Sequence, residues 1–121
     1  VYVYRPSRLK RDLDNSLARE ILEKSGYGCS APGRCIASLI SRMRSGESFP
    51  HEIGLFLGYP PEDVRGFIEK GASGCECSGC WKVYGNTQQA MTTFGRYRKC
   101  AALYLEQWKK GKSVEQLTVA V

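Results

Sequence analysis

Apolar residues recur at three- and four-residue spacing along most of the chain, and polar or glycine punctuation cuts that pattern into helices. Leu9 and Leu13 stand one turn apart behind Pro6, a residue suited to a first helical turn. Asp14 or Asn15 is placed to cap a second helix, with Leu17, Ile21 and Leu22 as its apolar face and Gly26 as its end. A glycine- and proline-bearing loop follows, then a helix from about residue 34 to 44 with Ile36, Leu39, Ile40 and Met43 on one side. Phe49-Pro50-His51-Glu52 opens a fourth helix, with Ile53, Phe56 and Leu57 as its core stripe and Gly58 as its stop. Pro61-Glu62-Asp63 starts a fifth, acidic at the positive end of its dipole, with Val64, Phe67 and Ile68 facing the core. The longest periodic segment runs from Thr87 to Lys110. Its stripe is Ala90, Met91, Phe94, Tyr97, Ala101, Tyr104, Leu105 and Trp108. Ser113 caps one last helical turn.

Three short runs are β-branched and aromatic instead: Val1–Arg5, Trp81–Tyr84 and Thr118–Val121. The expected architecture is an α+β domain spanning 1–121, mostly helical, with a two- or three-stranded sheet built from these runs. The first and last are expected to pair and close the domain.

Composition narrows the class. At 121 residues, 42% hydrophobic and 25% charged, the chain matches one globular domain and not a disordered, collagen-like or coiled-coil protein. The longest uncharged apolar stretch, Ile53 to Tyr59, falls far short of the ~20 residues a membrane helix needs, so no membrane partner is expected. Net charge is +6, and each half of the chain carries nine basic and six acidic groups. Local basic concentrations occur at Arg5, Arg8, Lys10 and Arg11, and at Arg96, Arg98, Lys99, Lys109, Lys110 and Lys112. A basic face can steer toward a polyanion, but a solvated helix face is the commoner meaning of such a run. The chain starts at Val1 without a secretory pattern. This reads as a boundary inside a longer protein, and it favours reduced cysteines over a disulfide framework.

The run FPHEIGLFLGYPPEDVRGFIEKG (Phe49–Gly71), then WKVYGN (Trp81–Asn86), a helix holding Tyr97 and Lys99-Cys100, and a short Leu117-Thr118-Val119 ending resemble domain-of-unknown-function family 3793. The VYVYR start and Gly26-Tyr27 fit it as well. The resemblance covers nearly the whole chain. It implies a cytoplasmic protein of anaerobic clostridia and their relatives, and it brings no activity, fold or site residues.

Cys75, Cys77 and Cys80 form a C-x-C-x-x-C run in a glycine-rich loop. The C-x-x-C spacing lets two thiolates reach one metal, and a third leaves one position of a tetrahedral zinc site open. Cys100 is the first candidate for that position and His51 the alternative, with Cys29 and Cys35 also weighed. Thiolates suit an iron–sulfur cluster equally. A redox reading pairs Cys77 with Cys80 and uses Cys75 as resolving thiol. It lacks the helix N-terminus that usually activates such a pair. The plain alternative is a loop of small reduced cysteines, with Cys100 as a small helix residue beside the apolar stripe. His51 is the only histidine, and solvating a helix start is its ordinary role. Glu62-Asp63 is explained by the helix dipole. No phosphate loop or Ser-His-Asp set is present, so an enzyme is the weaker class.

Residues 51–70 have the outline of a helix-turn-helix. A recognition helix should offer donors to bases and phosphates, yet this one offers Glu62, Asp63 and Glu69 against Arg65 and Lys70. Nucleic-acid binding through this hairpin with Arg65, Lys70, Arg96 and Lys99 is therefore disfavoured. The leading expectation is a cytoplasmic binding or regulatory module with a metal site at Cys75, Cys77, Cys80 and Cys100, acting on a protein partner. A nucleic-acid binder comes second and a thiol redox protein third.

Overall fold

A computed structural model describes residues 1–28 and 31–118. The chain divides into two compact units, Val1–Gly85 and Asn86–Val121. The first holds α1 (Pro6–Leu13), α2 (Ser16–Lys24), α3 (Pro32–Ser45), α4 (Ile53–Phe56), α5 (Pro61–Lys70), a 3-10 turn at Ala72–Gly74, and strands β1 (Cys77–Ser78) and β2 (Lys82–Val83). The second holds α6 (Thr87–Lys109) and α7 (Val114–Leu117). The α+β class stands: the described residues are mostly helical with one small antiparallel sheet.

Local chemistry explains most boundaries. The Asn15 side chain accepts from the Leu17 and Ala18 amides at 3.0 and 3.1 Å, so Asn15 is the cap of α2. Its neighbour Asp14 is held by Arg19 at 2.6 Å instead. Gly46, at φ 70°, turns the chain out of α3. Asn86 caps α6 through the Gln89 amide at 2.9 Å. Ser113 and Gln116 form a reciprocal capping box on α7.

The core of the first unit is Leu9, Leu13, Ala18, Ile21, Leu22, Tyr27, Leu39, Leu55, Phe56 and Val64, with Cys35 among them. α1 packs on α3 and α4, and α5 packs on α2, α4 and β2. Two glycines let α5 sit this close. A Cβ on Gly54 would stand 2.8 Å from Val64 Cγ2, and one on Gly66 would run into the Tyr84 ring.

Several expectations are corrected. Val1–Arg5 has no regular structure: a strand needs a partner edge, and among the described residues the sheet holds only Cys77 opposite Val83 and Ser78 opposite Lys82. The segment is anchored by side chains instead, with Tyr2 stacked on Tyr4 and its hydroxyl donating to the Phe56 carbonyl. Of Trp81–Tyr84, Lys82–Val83 is strand, and its partner is the cysteine loop. Of the Thr118–Val121 run, Thr118 is a bend and the rest lies outside the described residues. The fourth helix shrinks to one turn, because Gly54, Gly58 and the Pro60-Pro61 pair deny it length. Buried positions also rotate. Leu57 and Ile68 are each 46% exposed, while Asp63 and Glu52 are buried.

A candidate binding groove beside a thiol hairpin

α4, α5 and β2 enclose an apolar groove of about 330 Å³. Its walls are Phe49, His51, Ile53, Leu57, Tyr59, Phe67, Trp81 and Lys82, with Gly54, Asp63 and Val64 completing the lining. The His51 ring lies between two phenyl rings, 5.5 Å from Phe49 and 4.9 Å from Phe67 by centroid. A second aromatic pair lines the same groove, with Tyr59 stacked on Trp81 at 4.9 Å. Periodicity does not find this groove, because its residues come from loops and from the outer edges of two helices.

Asp63 fixes the Trp81 wall. Its Oδ2 accepts from Trp81 Nε1 at 2.8 Å, and its Oδ1 from the Tyr84 and Gly85 amides at 2.8 and 2.9 Å. The carboxylate is therefore a strut joining the first turn of α5 to the hairpin, with three of its roughly four acceptor sites taken. In the sequence it reads only as dipole complementation. Among the described residues, Asp63 and Lys82 are the groove's only formally charged groups, which leaves Lys82 as the charge offered to a ligand.

A second buried network lies behind α4. Glu52 Oε1 accepts from the Tyr27 hydroxyl at 3.0 Å and pairs with Arg42 Nε at 2.8 Å. Arg42 also donates to the Ser25 carbonyl at 2.6 Å and lies over the Tyr27 ring at 5.5 Å. Burial first, then the Glu52 charge and hydrogen bond, push the Tyr27 phenol far above its ordinary value, with Arg42 opposing.

The cysteines are placed as follows. Cys75 follows the 3-10 turn, Cys77 is on β1, and Cys80 is exposed in the hairpin turn; all three are free, as is exposed Cys100 on α6. Cys35 is disulfide-bonded, which corrects its reading as a reduced thiol and removes it as a metal ligand. Cys29 lies outside the described residues. His51 lines the groove, its ring against Phe49 and Phe67, and no cysteine is among the residues of that lining. Among the described residues, no group of three or more His, Cys, Asp or Glu is placed to hold a metal ion. The basic residues Arg65 and Lys70 are exposed on α5, and Arg96 and Lys99 are exposed on α6 in the second unit. Among the described residues, no helix is long and apolar enough to cross a membrane.

The fold and groove define a small helical protein with an aromatic cleft and a thiol-bearing hairpin. The profile of the family described as "Protein of unknown function (DUF3793)" matches residues 1–118, and the chain belongs to that family. No curated protein and no solved structure matches it.

Proposed function

We propose that the protein is a binding module whose groove takes a planar aromatic ligand carrying a negative group. The observation that carries this is the lining itself. Two aromatic ring pairs line it, the polar groups are few, and the volume lies at the small end of the ~300–1,000 Å³ range of ligand sites. The ring would slot between the His51–Phe67 and Tyr59–Trp81 faces, and the anion would meet Lys82. The ligand is either a free aromatic acid or an aromatic side chain beside acidic residues of a protein partner. An amide-resolved NMR titration with 1-naphthoate, with neutral 1-naphthalenemethanol, and with a short Asp-Trp-Asp peptide separates these sources. Shifts confined to 49–67 and 81–82 are expected, with Lys82→Ala weakening the anions several-fold and leaving the neutral probe unchanged. Titrations in which no probe perturbs this set overturn the reading.

A second reading keeps the hairpin as a soft-metal site. Cys75 and Cys77 are two residues apart on extended chain, which puts them on one face, and Cys80 follows in the turn. As placed the side chains do not converge, so binding requires the loop to close around the ion. His51, the alternative fourth ligand that lies in the same unit, would complete the set, with zinc or an iron–sulfur cluster as the cofactor. Anaerobically purified protein should carry metal and should give a cobalt(II)–thiolate absorption band that Cys77→Ser removes. Folded protein that is metal-free and gives no such band overturns it.

A further inference from the structure

The apolar stripe of α6 continues into solvent. Ala90 and Phe94 are buried, at 2% and 1% exposure, yet the same stripe further along is bare: Ala101 is exposed, and Tyr104, Leu105 and Trp108 are 47, 54 and 55% exposed. The stripe has heptad spacing. Positions 90, 94, 97, 101, 104 and 108 alternate steps of four and three, which is the seam pattern of a coiled coil. The charges avoid that seam. Arg96, Lys99, Glu106, Lys109 and Lys110 all fall on the outward positions, and only Arg98 flanks the seam. The other flanking positions along the bare part hold Cys100, Leu105 and Gln107.

We infer that this stripe is a homodimer seam, on which α6 of a second copy lies antiparallel. An uncharged seam on a basic helix suits a copy of itself, because the outward lysines of both chains stay in water. Side-chain size sets the direction. In an antiparallel pair Ala101 faces Tyr104 of the second copy, small against large, and Trp108 faces the position of Tyr97. In a parallel pair Ala101 would face Ala101 between layers of paired Tyr97 and paired Tyr104, which hold the axes too far apart to close that layer. Antiparallel pairing also sends the Lys109, Lys110 and Lys112 ends to opposite ends of the seam, where parallel pairing would abut them. Twelve helical residues give a seam only ~18 Å long, so the interface is small.

Sedimentation equilibrium on the full chain from 10 µM to 1 mM tests this. The weight-average mass should rise from monomer toward dimer, with an association constant nearly flat between low and high salt. Tyr104→Glu and Tyr104→Ala should each weaken it at least tenfold with helicity by circular dichroism unchanged, and Lys99→Glu on the outer face should leave it alone. A monomer up to 1 mM overturns the seam. So does a dimer indifferent to Tyr104. A dimer that tightens steeply with salt overturns the antiparallel arrangement. A monomer that pellets with phosphatidylserine vesicles through Trp108 assigns the stripe to a membrane and overturns the dimer. None of these results depends on the groove.

Discussion

Asp63→Ala should destabilise the protein by about 3–5 kcal/mol in urea unfolding, a large share of the ~5–15 kcal/mol that holds a domain this size together. The substitution strands three donors at once: Trp81 Nε1 and the amides of Tyr84 and Gly85. Trp81 is 7% exposed and Asp63 3%, so water cannot substitute without opening the hairpin. Asp63→Asn should recover roughly half of the loss. Its carbonyl can still serve the two amides through the Oδ1 position, but its NH2 then meets Trp81 Nε1 donor to donor. Trp81 fluorescence should shift red in the alanine variant, reporting wetting of the groove wall. An alanine variant as stable as the parent would show that the strut is ornamental.

Glu52→Ala is the second large effect, expected at about 2–3 kcal/mol by the same measurement. It removes the partner of a buried phenol and of a guanidinium at one stroke. The loss stays below that of a fully buried pair because the Arg42 side chain is 41% exposed and can turn to water. Tyr27→Phe isolates the phenol and should cost about 1 kcal/mol near neutral pH. The same network sets an alkaline limit. The fold keeps the Tyr27 proton, whereas the unfolded chain releases it above a pH of about 10. The contribution is therefore complete below that pH and declines as pH rises toward the folded value. Tyr27→Phe should lack this decline. A parent protein whose stability is as flat as the variant's above pH 10 would contradict the assignment.

Helix existence was readable because caps and stops are local. Pro6, Asn15, Gly46, Pro61, Gly71 and Asn86 each act within a few residues, and each marks a real boundary. Strand pairing was not, since the composition of Val1–Arg5 says nothing about whether an edge exists to receive it. The partner of Lys82–Val83 was hidden in a cysteine loop read for its chemistry alone. Burial failed where helices have more than one environment. The periodicity marks Leu57 and Ile68 as core because it carries no information on where the core ends. Asp63 and Glu52 looked like ordinary charges at helix starts, since their partners lie 10 to 25 residues away along the chain. The thiol cluster was the most visible signal and the groove the least, because thiols announce themselves by residue type and a groove only by shape.

The hairpin itself has two residue pairs, too few to persist alone in water. What keeps it shut is a carboxylate belonging to a helix. Amide hydrogen exchange in the hairpin should therefore not follow the fraying expected of a surface turn. The Tyr84 and Gly85 protons should exchange together with those of the first turn of α5, as one cooperative opening unit. The accessibility of the three thiols to alkylating reagents is then timed by the opening of that helix end.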